Sequence, residues 1–420
     1  MASTDIHRTV EALWRMESAR IIAKLARMLR NVGLAEELAQ DALVTALEEW
    51  PRRGLPENPA AWLMTTAKNR AIDQLRRAKL AERKGALMSH DADLPVALDP
   101  EQLLEEDISD DLLRLMFVAC HPVLSTEARV ALTLRLLGGL ATPEIARAFL
   151  VTETTVQQRI VRAKRTLSEA RVPFEVPRAE ERAERLASVL EVIYLIFNEG
   201  YVATGGQDWM RPALCEEALR LGRILAELTP GESEVHGLVA LMELQASRTR
   251  ARVSPAGEPI LLSEQDRTRW DPLLIRRGLA ALERAEALGG ALGVYALQAA
   301  IAACHARALS VEQTDWARIV ALYDALAQLA PSPIVRLNRA VAVSMAYGPA
   351  PALELVDALQ GEARLESYHL LPSVRGDLLE RLGRYEEARA EFARAASLAH
   401  NEREKSLLLG RMAGCGAGAQ

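Results

Sequence analysis

Cysteine and aromatic residues are scarce in this 420-residue chain, and no long apolar run occurs. Its four cysteines, Cys120, Cys215, Cys304 and Cys415, stand far apart and form no CxxC pair, which argues against a disulfide framework or a zinc site and fits a reducing compartment. No segment approaches the ~20 apolar residues a membrane span needs. The first ten residues carry charges and lack an apolar stretch followed by a small-residue cleavage site. A soluble, unexported, cytoplasmic protein that uses no membrane is therefore expected. HExxH, the GxxxxGK[ST] phosphate loop and the dinucleotide glycine pattern are all missing, and GYVATGG lacks the lysine and hydroxyl of a phosphate loop. Cys120 beside His121 is read as a structural pair at a helix end. No catalytic residue, metal or cofactor is expected, and the chain is not expected to be an enzyme.

What is present is helix-forming composition. Half the residues are apolar, with Ala, Leu, Arg and Glu dominant, so an all-α protein is expected. Its length suggests two to four domains. The net charge of -6 by itself argues against a general nucleic-acid binder, but charge is unevenly spread. Residues 52–84 are mostly basic, residues 91–111 (DADLPVALDPEQLLEEDISDD) contain no basic residue, and basic character returns over 147–171. Two basic modules thus flank an acidic, proline-containing tether.

In the first module apolar residues recur at helical spacing over 6–30, 35–50 and 59–79. PRRGLPENP between the second and third patterns predicts a helix break and a short loop carrying Arg52 and Arg53. On the third pattern Trp62, Leu63, Ala67, Ala71, Ile72 and Leu75 share an inner face, with Trp62 assigned to the core. Lys68, Asn69, Arg70, Asp73, Arg76 and Arg77 lie largely outward.

The second module carries TPEIARAFLVTETTVQQRIVRAKRTL. Thr142 and Pro143 open a short helix over 144–149, a turn follows around 150–152, and Thr152 or Thr154 caps a longer helix. This is a helix-turn-helix pattern. Ile145, Ala146, Phe149, Val151, Val156, Ile160 and Leu167 point inward, leaving Thr154, Thr155, Gln157, Gln158, Arg162 and Arg165 to project from the second helix into a major groove. Gln suits adenine and Arg suits guanine, whereas Arg159, Lys164 and Arg165 suit phosphates. Taken alone, the motif fits any polymerase-independent DNA-binding regulator.

AEELAQDALVTALEEW with PAAWLMTTAKNRAIDQLRR resembles the second conserved region of bacterial sigma factors, in particular the extracytoplasmic-function group. VALTLRLLGGLATPEIARAFLVTETTVQQRIVRAKRTL resembles the fourth region of the same family. The resemblance implies a non-enzymatic partner of core RNA polymerase, contacting its β′ clamp and β subunits, with Glu37, Gln40, Asp41 and Leu43 in the β′ contact. It also implies promoter DNA as ligand. Arg52, Arg53, Asn69, Arg70 and Arg76 are the candidates for the melted non-template strand of the minus ten element, and Thr154, Thr155, Gln157, Gln158, Arg159, Arg162, Lys164 and Arg165 for the minus thirty-five duplex. Family members commonly carry a basic residue where Gln157 stands, which leaves the preferred bases open. The acidic segment would thread the RNA exit channel, although its composition fits a solvated tether as well.

More than half the chain follows Pro173 and Pro177, as helices separated by turns at 205–206, 229–231, 289–290, 330–333, 347–351 and Gly383. LLPSVRGDLLERLGRYEEARAEFARAASLA resembles a tetratricopeptide repeat, with Gly383, Ala388 and Phe392 at its turn, small and aromatic positions. DWARIVALYDALAQLAPSPIVRLNRAVAVSMAYG is a weaker echo. An α-solenoid with room for a protein or peptide partner is expected. FNEGYVATGG resembles a stretch of the sigma subgroup bearing such an extension. Its Asn198, Glu199 and Tyr201 suit a contact site or, equally, capping and core satisfaction. The expected organisation is a first sigma domain over 1–88, the acidic linker over 89–107, the helix-turn-helix domain over 108–172 and the helical extension over 173–420, with an interaction scaffold as the rival to a sigma factor.

Overall fold

A computed structural model describes residues 3–86, 108–203, 209–255 and 257–416. The expected linker over 89–107 and the turn at 205–206 lie outside the described residues. The regular structure among these is helical, and an isolated antiparallel bridge joins Val253 to Pro259. The chain divides into two compact units, Met1–Ile193 and Tyr194–Gln420.

The first unit opens with α1 (Ser3–Leu29), α2 (Val32–Arg53) and α3 (Pro59–Ala86), which pack on one another. Asn31 caps α2 by accepting from the Leu34 amide at 3.0 Å. α2 differs from expectation at its end: it runs through Pro51 to Arg53, so Arg52 and Arg53 occupy its last turn instead of a loop. A proline near a helix end forfeits one backbone bond, and the Gly54 amide still donates to the Trp50 carbonyl at 2.9 Å. Trp50 is fully enclosed, and Trp62 of α3 meets it edge-on at 5.4 Å, half-buried as an inner-face residue should be.

α4 (Ile108–Ala119), α5 (Thr126–Leu136), α6 (Thr142–Ala148) and α7 (Glu153–Glu169) follow, and α4 and α5 also pack on α1. Leu115, Met116, Phe117, Leu132 and Leu134 fill their core. Fully burying each such side chain contributes roughly 1.5–3 kcal/mol. α8 (Ala179–Tyr201) begins in this unit: Arg185 donates to the Phe117 carbonyl at 2.8 Å and Ser188 to the Cys120 carbonyl at 2.6 Å.

The second unit takes in the end of α8 and then α9 (Pro212–Leu228), α10 (Ser233–Ala246), α11 (Pro272–Ala287), α12 (Val294–Arg307), α13 (Trp316–Leu329), α14 (Pro333–Tyr347), α15 (Pro349–Asp357), α16 (Leu370–Arg381), α17 (Tyr385–Leu398) and α18 (Glu402–Gly414). Most of these helices pack chiefly on their neighbours in sequence, as stacked helix pairs do, and α12 packs most extensively on α10. α16 and α17 coincide with the tetratricopeptide-like segment. Gly383 turns between them with φ 76°, and Ala388 and Phe392 are fully buried. A Cβ at Gly200 would stand 2.6 Å from the Cys215 amide nitrogen, so α8 and α9 approach this closely only because residue 200 is glycine. One feature was not expected: residues 247–271 interrupt the helical series with three short 3-10 turns, Thr249–Ala251, Leu262–Glu264 and Arg267–Arg269. Pro255, Gly257 and Pro259 disfavour helix there.

Candidate functional site

The helix-turn-helix is built as its sequence prescribes. Glu144 caps α6 by accepting from the Ala141 amide at 2.8 Å, and Leu150 turns the chain with φ 50°. Thr152 then caps α7 by accepting from the Thr155 amide at 3.2 Å. Val156, Ile160, Ala163 and Leu167 form the buried stripe of α7. Thr154, Gln157, Gln158, Arg162 and Arg165 are exposed on the other side, so five of the eight expected residues form one accessible face. The remaining three are less free. Thr155 shares its hydroxyl with that of Thr152 at 2.8 Å, and Arg159 is half-exposed, close enough to help hold the Glu127 carboxyl below its usual range after the Glu127 backbone and Ser125 bonds. Lys164 is ion-paired with Glu36 of α2.

On the first module Arg52, Arg53, Asn69 and Arg76 are exposed, along with Arg77. Arg53 pairs with Glu49 at 2.9 Å and Arg76 with Asp73 at 3.8 Å, both within a helix and open to solvent, so these contacts hold the cations only weakly. Arg70 is different: it reaches Asp41 at 3.5 Å and the Thr45 hydroxyl at 2.6 Å, joining α3 to the α2 face that carries the expected polymerase contacts. On that face Glu37 and Asp41 are exposed, and Leu43 and Gln40 are half-buried, with Gln40 donating to Glu36.

Glu36 is the residue sequence reading missed. It is 2% exposed, and besides Lys164 it accepts from Arg135 of α5 at 2.6 Å. A second acid, Asp111, is fully buried on α4, between Lys24 at 3.9 Å, Arg27 at 3.6 Å and Arg114 at 2.9 Å. Burial pushes its carboxyl up while these three cations pull it down. Asp111 lies at the end of the acidic stretch, where it reads as one more solvated charge. Only its company of apolar residues, Leu112, Leu113 and Leu115, hints at burial.

Cys120 and His121 do structural work. The Cys120 sulfur lies 3.3 Å from the Thr133 hydroxyl, and burial pushes its thiol up to about 11, which removes the thiolate a nucleophile requires. His121 accepts from the Val123 amide through Nδ1, and desolvation, helped by Arg185, lowers it to about 4. In FNEGY, Glu199 is buried and paired with Arg211, and Tyr201 stacks on Phe197, so core satisfaction takes these two residues. No group of His, Cys, Asp and Glu among the described residues is arranged to hold a metal ion.

An all-helical protein with a basic three-helix module followed by an exposed helix-turn-helix face has the build of a DNA-binding protein, and comparison with known proteins gives the family. Residues 13–80 match Sigma-70 region 2, residues 114–167 match Sigma-70, region 4, and residues 185–286 match a family of unknown function (DUF6596). An uncharacterised protein of Rhizobium meliloti (strain 1021) is 46% identical over 399 residues, 91% of this chain and 90% of its own length. The probable ECF RNA polymerase sigma factor SigI of Mycobacterium tuberculosis (strain CDC 1551 / Oshkosh) is 26% identical over 42% of this chain and 60% of its own length. ECF RNA polymerase sigma factor SigL of Mycobacterium tuberculosis (strain ATCC 35801 / TMC 107 / Erdman) is 28% identical over 38% of this chain and 86% of its length. No solved structure matches the chain. The chain belongs to the extracytoplasmic-function sigma factors, RNA polymerase factors for promoter recognition, and carries a C-terminal helical extension. Sigma-factor families bind core RNA polymerase and promoter DNA and are not enzymes. No helix among the described residues is long and apolar enough to cross a membrane.

Proposed function

We propose that Arg52, Arg53, Asn69, Arg70 and Arg76 hold the melted non-template strand of the minus ten element while α7 enters the major groove of the minus thirty-five duplex. Cations suit the phosphates of an opened strand, and a rigid helix face suits base edges. Thr154, Thr155, Gln157, Gln158 and Arg162 read bases, and Arg159, Lys164 and Arg165 meet phosphates. Glu37, Gln40, Asp41 and Leu43 dock on the β′ clamp of core polymerase, whose β subunit is a further partner. The polymerase performs the chemistry in the cytoplasm, and this chain catalyses none of it. Residues 1–88 and 108–172 act as the two DNA-binding modules, 89–107 as their linker and 173–420 as a modulating extension that takes a protein or peptide segment.

The observation that carries this reading is the exposed row Thr154, Gln158, Arg162 and Arg165 on a capped second helix, downstream of a module whose outer cations are solvated. The ion pair of Lys164 with Glu36 adds a condition. Lys164 reaches a phosphate only once that pair opens, so promoter engagement is coupled to the separation of α7 from α2. Run-off transcription with purified core polymerase and the full-length chain tests the proposal. The expected result is promoter-dependent transcript and co-elution with core enzyme; a chain that binds duplex DNA with a footprint indifferent to core polymerase overturns it.

A further inference from the structure

Within the first unit, the three-helix module and the helix-turn-helix module are locked together around one carboxylate. Glu36 of α2, 2% exposed, pairs with Lys164 of α7 and with Arg135 of α5 at 2.6 Å. Replacing one member of such a buried set strands the others, whereas moving the two modules apart returns all three to water. Because desolvation offsets much of the attraction in a buried pair, a contact of this kind is specific when made and opens at small net cost.

Two further contacts hold the same arrangement. Arg15 of α1 pairs with Glu144 of α6 at 2.5 Å. The turn after α5 also seats against α1: a Cβ at Gly139 would stand 2.9 Å from the Ser18 hydroxyl and 3.5 Å from the Arg15 Cα. Gly139 has φ 64°, so both its backbone and this approach call for glycine.

The lock touches both expected interfaces. Gln40, assigned to the β′ contact, donates to Glu36, and Glu37 and Asp41 stand exposed on the same helix. Lys164 is assigned to a minus thirty-five phosphate. With Arg52, Arg53 and α7 given their promoter roles, on which the inference rests, the locked arrangement is too short for a promoter. The two elements lie about 25 base pairs apart, about 85 Å of duplex. α2 has 22 residues and α7 has 17, about 33 Å and 25 Å of helix. Laid end to end through the Glu36 and Lys164 pair they span less than about 70 Å, and Arg52 and Arg53 stand on α2 itself. Both elements cannot be held while that pair is made.

We propose that Glu36 latches the free chain in a self-inhibited form, and that core polymerase, by engaging Gln40 and its neighbours, draws Glu36 off Arg135 and Lys164 and frees α7 for the minus thirty-five duplex. A partner shifts such an equilibrium only by preferring one form, and the latch supplies the difference, because Gln40 cannot turn to a new acceptor while it holds Glu36.

The test uses the full-length chain with Arg15→Cys and Glu144→Cys, whose new thiols a reducible bis-maleimide bridges; the four native cysteines are buried. The free chain should cross-link, and prior assembly with core polymerase should slow the reaction at least about tenfold. The bridged chain should lose run-off transcription at least about tenfold, and reduction should restore it to the level of the unmodified double-cysteine variant. Glu36→Arg in the same background should slow cross-linking of the free chain, and adding Arg135→Glu, which reverses the pair, should bring the rate back, with circular dichroism checking that both variants fold. A bridged chain that transcribes as well as the reduced one, or a cross-linking rate indifferent to core polymerase, overturns the latch and leaves the promoter assignments standing. A wild-type chain that gives no promoter-dependent transcript overturns those assignments and the latch with them.

Discussion

One group of enclosed cations in the first unit and one in the second are held in different ways. In the first, Lys24 and Arg27 converge on buried Asp111, and Arg135 and Lys164 on buried Glu36. Each acid ties together helices distant in sequence. In the second, Arg248, Arg252 and Arg267 are held by aromatic faces, a phenol and carbonyl oxygens, with Glu312 acting on Arg267 only at longer range. Paired charges in a low-dielectric interior set position, because removing either partner strands the other. Cations held by rings and carbonyls keep more of their field, because no carboxylate among the described residues lies in direct contact with them. The solvated cations of α3 and α7 are a third case, available to the long-range attraction of a polyanion.

The contrast breaks most visibly at Asp111. Asp111→Asn removes the buried carboxylate on which Lys24, Arg27 and Arg114 converge and should lower stability by about 3–5 kcal/mol in urea unfolding followed by circular dichroism; a loss below about 1 kcal/mol means those cations are held well enough by their other contacts. At the DNA-reading face, Arg162→Ala should weaken promoter binding of the polymerase complex by about 1–3 kcal/mol and relax base preference, while Val156→Ala should reduce thermal stability and leave base preference intact. Equal transcription from wild type and Arg162→Ala on matched promoters contradicts the role given to Arg162.

Acid sharpens the comparison further. His305 is neutral in the fold, with its pKa lowered to about 3 by desolvation and then by Arg248 and Arg267. The unfolded chain takes up a proton below its ordinary value of about 6.5. The stability from this depressed pKa is therefore complete above that pH and is lost progressively as pH falls toward 3, by about 1–2 kcal/mol at pH 5. The fall in Tm between pH 7 and pH 5 should be smaller in His305→Gln than in wild type. The smallest effect is expected at Arg248→Met. Since no carboxylate is stranded, stability should change by less than about 1 kcal/mol; a loss as large as that of Asp111→Asn shows that ring and phenol contacts replace a counter-ion fully.

Much of this architecture was legible in the sequence. The helix-turn-helix could be read because its signals are local: Thr152 as cap, four apolar positions at helical spacing, and polar residues between them. The repeat-like α16 and α17 were legible for the same reason. Arg52 and Arg53 were placed in a loop because three prolines in nine residues suggest a break. Pro51 instead sits within the last turn of α2, and Gly54 forms the stop. The 247–271 excursion went unseen because its short 3-10 turns have no period to detect.

Composition, periodicity and capping residues determine that this chain is helical, where most of its helices lie, and which family its N-terminal modules belong to. Which charges leave water is decided by tertiary structure alone. Glu36 and Arg135 are 99 residues apart in sequence, and nothing in the spacing around either one marks the other as its partner. Local patterns record backbone preference, whereas burial depends on what the rest of the chain brings to the same place, and it is burial that turns an ordinary surface charge into a strong interaction.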